Sequence, residues 1–260
     1  MIYIDTEATS SEPAGYPWPP LQGSCLITAD AVVPVRVDDA GGHWTAIDAH
    51  LAAAGAAPMA QRQAVLAIGS NRSLVALRRK YAPLPGWIIP TLNVAVAGIG
   101  VSHAACVSGP GWIPWAPLVA DSRQWFRYAV SFVDNHELAL LDSTEPNYVR
   151  RLLPPVHTVQ LENGDVLDGV HLYCSRHGLI TGEDGMPVPA GTQREALQLA
   201  AAALGQAVTH AQLAASACLR EQVRVAFTPT AAADGLAASA GPAHGNPGAP
   251  GQTDVTVSVQ

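Results

Sequence analysis

The stretch AVLAIGSN, residues 64–71, joins an apolar run to a turn and decides how the surrounding chain folds. Its first five residues are apolar and short enough for one buried β-strand. Gly69, Ser70 and Asn71 then interrupt the strand. The following RSLVALRRKY, residues 72–81, has the spacing of a helix. Backbone N–H groups at such a helix start have no partner, so the sequence predicts either an anion-binding loop or an ordinary cap made by Ser70 or Asn71.

The composition of the chain limits the classes of partner that it can bind. The 260 residues carry a formal net charge of −7, and only 13% of them are charged. A nucleic-acid surface needs clustered lysine and arginine, so we expect no nucleic acid as a partner. No apolar run approaches the ~20 residues of a membrane-spanning helix, and MIYIDTEATSSEP at the start is acidic, unlike a signal peptide. We therefore expect a soluble cytoplasmic protein that binds no membrane.

The cysteines and histidines are not spaced as they are in metal or redox sites. Cys25, Cys106, Cys174 and Cys218 form no C-x-x-C pair, and we interpret them as free thiols. The histidines show neither H-x-x-x-H nor H-E-x-x-H spacing. The sequence therefore predicts neither a metal nor any other cofactor.

Three zones of different composition divide the chain. Residues 1–60 begin with a proline-rich segment and are predicted to be an N-terminal extension packed on the core, with a strand at 24–37 and a helix at 44–57. Residues 61–227 have the most varied sequence and are the predicted main domain. Residues 228–260 are rich in Ala, Gly and Pro and are predicted to be a disordered tail, because they bury too little apolar surface to offset the entropy of ordering.

The main domain mixes strands and helices without regular alternation. This order disfavours a doubly wound parallel sheet and predicts an α+β fold, with a small mixed β-barrel and helices packed outside it. The further predicted elements are β-rich chain at 89–108, a strand at 125–133, a helix capped by Asp134 or Asn135, a hairpin at Asn163-Gly164, and a helical stretch at 192–223 broken near Gly205 or Thr209.

A second stretch, LALLDSTEPNYVRR at residues 138–151, pairs with the first one. Together, IGSN (68–71) and LDSTEPNYVR (141–150) resemble the gamma-glutamylcyclotransferase-like superfamily. Members of that family typically carry Tyr-Gly-Ser-Asn after their first strand, and later Leu-Asp-x-x-Glu-Gly followed by a Tyr and often an Arg. The resemblance covers roughly residues 64–180, a plausible size for one domain. It implies a gamma-glutamylcyclotransferase-like α+β fold.

The resemblance also implies roles for individual residues. Glu145 matches the family's catalytic acid/base, and Asp142 matches a structural position of the same motif. The substrate-binding positions that it implies are Ile68, Gly69, Ser70, Asn71, Tyr148 and Arg150.

His103 is a further candidate for substrate binding. It lies in VSHAACVSGPGWIPWAPL, residues 101–118, a segment rich in Gly and Trp. It either lines the same pocket or is a buried structural histidine. Trp112 and Trp115 in that segment either wall the pocket or belong to the core.

The reaction that the resemblance implies needs one protein carboxylate as acid and base, and no cofactor. A gamma-glutamyl amide contains its own nucleophile, the alpha-amine, which cannot attack until a carboxylate has removed its proton. Attack within one molecule closes a five-membered ring, releases an amine and yields 5-oxoproline. The predicted function is therefore a cyclotransferase-type enzyme that acts without a cofactor on a small molecule bearing an amine and a carboxylate. The sequence indicates no particular protein partner.

Two departures from the family pattern keep other functions open. Ile68 stands where the family usually has Tyr, and Pro146 stands where it usually has Gly. They keep open a related biosynthetic enzyme that performs a different intramolecular amine cyclisation or an amide cleavage. A non-catalytic binding protein with the same fold is the third alternative, and the presence of Glu145 argues against it.

Overall fold

The computed structural model describes residues 12–37 and 44–236. These residues form a mixed α+β fold in which a large mixed sheet carries helices, so the predicted fold class is confirmed at this level. The strands are β1 (Cys25–Thr28), β2 (Val32–Pro34), β3 (Gln63–Ala67), β4 (Ile88–Ala97), β5 (Ile99–His103), β6 (Trp115–Val119), β7 (Trp125–Val133), β8 (Tyr148–Leu152), β9 (Val159–Leu161) and β10 (His171–Ser175). The α-helices are α1 (Thr45–Ala53), α2 (Leu74–Tyr81), α3 (Asn135–Ser143), α4 (Gln193–Leu204), α5 (His210–Ala215) and α6 (Ala217–Phe227).

The main sheet is open within the described residues, and the predicted barrel is not formed. Its strand order is β2-β1-β4-β7-β3-β10-β8, and β5 and β6 form a separate two-stranded sheet. The two end strands, β2 and β8, do not pair with each other. The long strand β4 divides one edge between β1, which pairs with Ile88–Thr91, and β9, which pairs with Val94–Val96.

Strand β3 lies near the centre of the sheet, as its apolar sequence predicts. It pairs with β7 in the antiparallel sense and with β10 in the parallel sense. Side chains alternate across a strand, so Val65 packs with α2 and α3 on one face while Leu66 packs in the core of the other face. The chain therefore leaves the sheet at Ile68 from a strand that pairs with another strand along each edge and packs against apolar side chains on each face.

The helices begin and end at the predicted signals. The Asp134 side chain accepts hydrogen bonds from the His136 and Glu137 N–H groups and caps α3. Helix α4 ends at Gly205, whose φ of 68° is left-handed, and α5 begins after the cap Thr209. Among the described residues, no helix combines the length and apolar character that crossing a bilayer requires.

The two ends of the described chain both belong to the folded unit. In the N-terminal zone, β1 joins the main sheet through β4. At the other end, Ala232 exchanges backbone hydrogen bonds with Leu179, and Leu236 is buried. The predicted tail boundary at 228 is thus too early, because residues 228–236 cover apolar surface of the core. The rest of that prediction, residues 237–260, lies outside the described residues.

Candidate active site

A cavity of about 630 Å³ opens where the chain leaves β3. Its walls come from the loop before α2, from α2 itself, from the end of α3 and from the proline-rich chain before β1. The predicted site residues that line it are Ile68, Gly69, Ser70, Asn71, Glu145 and Tyr148.

Glu145 faces the Gly69–Asn71 loop directly. It follows Thr144, the C-terminal cap of α3, and its side chain is only 13% exposed. The Asn71 side-chain amide donates a hydrogen bond to Oε1 of Glu145 at 3.0 Å. A contact between residues 74 positions apart thus joins the two motifs that the sequence singled out.

Lys80 completes a three-residue group that the sequence did not indicate. Its Nζ donates to Oδ1 of Asn71 at 2.7 Å and forms an ion pair with Oε1 of Glu145. Both the amide and the ammonium bind Oε1, and no described residue donates a hydrogen bond to Oε2 of Glu145. The group therefore fixes the carboxylate by one oxygen and leaves the other for a ligand.

The ordinary-cap alternative does not describe the loop. Helix α2 begins after Ser73, which makes no side-chain capping bond, and a 3₁₀ turn covers Ser70–Arg72. The Asn71 side chain binds Lys80 and Glu145 and does not cap the helix. The Asn71 side chain therefore connects the loop to Lys80 and Glu145 in the cavity wall.

Tyr16 places a hydroxyl against the same loop. Its oxygen accepts the Trp115 N–H at 3.0 Å and also interacts with the Ser70 N–H. Burial raises the pKa of this phenol well above its ordinary value, so it is protonated at neutral pH. No described residue accepts the Tyr16 O–H proton, which leaves this proton available to a ligand in the cavity.

Glycine at position 69 is required by this close approach. A Cβ added there would lie 2.5 Å from the Tyr16 hydroxyl oxygen. We expect Gly69→Ala to displace that hydroxyl and to weaken ligand binding by roughly 10-fold or more, the loss expected when a hydrogen bond to a charged group is removed. Isothermal titration calorimetry measures the affinity.

The control for this substitution is the double variant Tyr16→Phe/Gly69→Ala. Phenylalanine removes the oxygen that the new methyl group meets, and the ring carbon behind it is 3.6 Å away. We expect the two substitutions to be non-additive, with Gly69→Ala costing little in the Tyr16→Phe background. Equal losses in both backgrounds would contradict the steric explanation.

Tyr148 and Arg150 have different positions relative to the cavity. The Tyr148 hydroxyl donates to the Trp115 carbonyl at 2.7 Å, so this side chain braces the cavity wall. Arg150 does not line the cavity; it binds both carboxylate oxygens of Asp142, at 3.0 and 3.2 Å. Asp142 also accepts the hydroxyl proton of Tyr173, which does line the cavity. Arg150 thus acts on the site only through Asp142 and Tyr173.

His103 does not line the cavity, so the structure does not place it in the predicted site. It is buried on β5, where its Nε2 accepts the Gly191 N–H at 3.0 Å. Burial lowers its pKa to about 4, and the imidazole is therefore neutral at neutral pH. The sequence alternative of a buried structural histidine describes this geometry.

The cysteines form no disulfide among the described residues, and three of the four are buried. Cys25, Cys106, Cys174 and Cys218 are free. Burial raises the pKa of both Cys25 and Cys106 to about 12, which keeps these thiols protonated and poorly nucleophilic. Within residues 12–37 and 44–236, no three His, Cys, Asp or Glu side chains lie close enough together to hold a metal ion.

Comparisons with known proteins give only weak likenesses. No protein-family model matches the chain, and no curated protein matches it. The solution structure of At3g28950.1 from Arabidopsis thaliana is similar at 19% identity over 44% of this chain, with a TM-score of 0.33. The solution structure of At5g39720.1 from the same plant is similar at 19% identity over 54% of this chain and 83% of that one, with a TM-score of 0.35. The chain spans 62% of the length of At3g28950.1.

Likenesses of this size carry no argument about function, so the site is interpreted from its own residues. Sequence reasoning missed two of them. Tyr16 had no signal, because it lies in irregular proline-rich chain far from the motifs. Lys80 had a weak signal: it lies in the last turn of the helix that begins after the loop, in a chain with few lysines and arginines.

Proposed function

We propose that the protein is a cyclotransferase-type enzyme that releases an amine from a gamma-glutamyl substrate and forms 5-oxoproline. The observation that carries this proposal is the hydrogen bond from Asn71 to Glu145 across the cavity. It brings a carboxylate base next to a loop that can hold a substrate carboxylate. The sequence resemblance assigns the same two roles to the same residues.

Glu145 is the proton carrier of the proposed reaction. Its free oxygen, Oε2, takes a proton from the alpha-ammonium group of the substrate, and the resulting amine attacks the gamma-carbonyl carbon. A C–N bond forms in the new ring while the C–N bond to the leaving amine breaks. Glu145 then returns this proton to the leaving nitrogen, and the second proton that the attacking nitrogen loses on ring closure passes to the released amine, so the reaction consumes no water. Lys80 and Asn71 keep the carboxylate in position by holding Oε1.

Tyr16 is the candidate donor to the carbonyl oxygen. That oxygen gains negative charge during the attack, and a donor fixed before the reaction stabilises it most effectively. The Tyr16 hydroxyl is fixed by the Trp115 N–H and retains its own proton for this purpose. It supplies a phenolic hydroxyl to a cavity in which position 68 is Ile and not the Tyr usual in the family.

A related cyclisation or amide cleavage is the second candidate. Ile68 and Pro146 both line the cavity, so both departures from the family pattern fall where substrate would bind. An altered pocket with an intact Glu145 favours an altered substrate over lost catalysis. A non-catalytic binding protein with this fold is less well supported, because it has no use for the free Glu145 oxygen.

The test follows 5-oxoproline and released amine from a panel of gamma-glutamyl amino acids, peptides and amines. We expect the wild-type protein to release both products in equal amounts from at least one compound. The matched control is the same compound with its alpha-amine acetylated, which cannot cyclise through that amine. If no compound gives 5-oxoproline, the cyclotransferase is excluded; binding without turnover would then favour the second candidate or a binding protein.

A further inference from the structure

Four aromatic side chains, which we call the aromatic cluster, pack together at the cavity wall: Tyr16, Trp18, Trp112 and Trp115. Trp112 stacks on the Tyr16 ring, with ring centres 5.6 Å apart and planes at 17°. Trp18 and Trp115 meet the same ring edge to face, with centres 5.6 and 6.3 Å away. The Tyr16 ring is therefore in contact with three tryptophans.

The segment that carries Tyr16 is held mainly by this packing. Residues 13–20 make no backbone–backbone hydrogen bond to the described chain beyond Leu21, whose own N–H donates to the Arg72 carbonyl at 2.8 Å. Trp18 has a φ of 63°, a left-handed conformation that a residue other than glycine keeps only where its surroundings hold it. It is nevertheless only 5% exposed. The position of the Tyr16 hydroxyl thus depends on the contacts of the aromatic cluster.

Arg79 on α2 connects two members of the cluster. Its Cζ atom lies over both indoles, 5.3 Å from the centre of the Trp18 ring and 5.5 Å from that of Trp112. The two indoles also meet each other edge to face, with ring centres 5.0 Å apart. A guanidinium is attracted to the electron-rich faces of such rings. No described carboxylate lies within ion-pair distance of Arg79, and no described residue accepts a hydrogen bond from it. Its charge is therefore directed at the two indoles.

We propose that Arg79 is a positioning residue, which fixes the Tyr16 hydroxyl for the reaction by holding Trp18 and Trp112 together. Trp18 belongs to the same segment as Tyr16, and Trp112 carries the Tyr16 ring on its face. This inference rests on the proposed function, because Tyr16 is the donor that we propose for the carbonyl oxygen. Such a donor must be fixed where charge develops, and a displacement of about 1 Å can cost ~10²-fold in rate.

A double-mutant cycle between Arg79→Met and Tyr16→Phe tests this role by steady-state kinetics of 5-oxoproline release. Methionine keeps an unbranched apolar side chain beside the indoles and removes the charge. We expect Arg79→Met to lower kcat by about 10-fold, part of the ~10²-fold that a misplaced group can cost, with KM nearly unchanged. In the Tyr16→Phe background the same substitution should cost little, because no hydroxyl remains to be positioned. Arg79→Lys should restore part of kcat, since an ammonium group also binds indole faces.

The matched control is Arg127→Met, which removes an exposed positive charge on β7 outside the cavity. It should leave both constants as in the wild type. Because Arg79 itself lines the cavity, direct contact with the substrate is the competing explanation. A rise in KM without a fall in kcat would establish that contact and overturn the positioning role. Equal losses of kcat from Arg79→Met in both backgrounds would overturn it as well.

A measurement without substrate separates this inference from the proposed function. In protein labelled with fluorotyrosine, the fluorine NMR signal that is lost in Tyr16→Phe reports the surroundings of Tyr16. We expect Arg79→Met to shift this signal and Arg127→Met to leave it in place. An unchanged signal in Arg79→Met would overturn the positioning role whatever the activity. A shifted signal in a protein that yields no 5-oxoproline would support the contact of Arg79 with the aromatic cluster and exclude the proposed function alone.

Discussion

Replacing Glu145 with glutamine is expected to lower kcat by at least ~10²-fold, the lower end of what a positioned acid/base contributes. Glutamine keeps the shape of the side chain and an oxygen that can accept hydrogen bonds from Lys80 and Asn71. It cannot take a proton from the alpha-ammonium group, so the nucleophile stays protonated. KM should change much less than kcat, because the loop that we propose holds the substrate is untouched. Steady-state kinetics on the best gamma-glutamyl substrate measure both constants.

The matched control is Glu221→Gln on α6. Glu221 is an exposed glutamate that pairs with Arg224, outside the cavity. The same change of charge there should leave both constants as in the wild type. Normal turnover by the Glu145→Gln protein on a true substrate would show that the catalytic role belongs to another group. A large fall in its melting temperature would instead indicate a structural role for Glu145.

The largest effect on stability is expected from Arg62→Met. The Arg62 and Glu137 side chains form an ion pair at 2.7 Å and are 0% and 2% exposed. Burial raises the pKa of the Glu137 carboxyl, and the Arg62 guanidinium opposes that shift. Removing one partner of a buried pair leaves an uncompensated charge and costs about 3–5 kcal/mol. For a domain of this size, the melting temperature should fall by roughly 10 °C.

Two comparisons show whether the unpaired charge causes this loss. Arg123→Met breaks an exposed pair with Asp121 and should change the melting temperature little.

In Arg62→Met, the raised pKa of Glu137 means that the folded state binds its proton more tightly than the unfolded state. Stability is therefore lost as pH rises through that pKa, and the deficit relative to wild type should shrink at acidic pH. A deficit that is the same at all pH values would indicate that its cause is lost packing or the lost hydrogen bonds from Arg62 to the Ala57, Ile88 and Phe132 carbonyls.

Local signals were sufficient for most of the elements. The apolar run before Gly69 forms β3, Asp134 caps α3, and Gly205 and Thr209 separate α4 from α5. Each depends on residues within one or two turns of each other, where backbone preference and capping act directly. Glu145 and the Gly69–Asn71 loop were also recognisable, because each motif is continuous in sequence.

Long-range strand pairing was not readable from local signals. The predicted hairpin at Asn163-Gly164 is present: Gly164 has a φ of 93°, Gln160 and Val166 form an antiparallel bridge, and the Leu167 N–H donates to the Val159 carbonyl at 2.8 Å. Strand β9 pairs with β4, whereas β8 and β10 pair with each other. Which edges meet depends on how much apolar surface each arrangement buries over the whole chain, and no local pattern encodes that. The open sheet in place of the predicted barrel has the same origin.

The sequence by itself determined the positions of the proposed base and of the proposed substrate-binding loop, and of the elements that carry them. Only the tertiary structure placed Tyr16 and Lys80 in the cavity wall. Tyr16 bonds to a residue 99 positions away, and Lys80 pairs with Glu145 across 65 positions. Contacts over such separations arise from packing of the completed fold, in which buried polar groups must find partners. The residues of the loop can therefore be recognised in one short stretch of sequence, whereas the residues that contact them are brought close only by the folding of the whole chain.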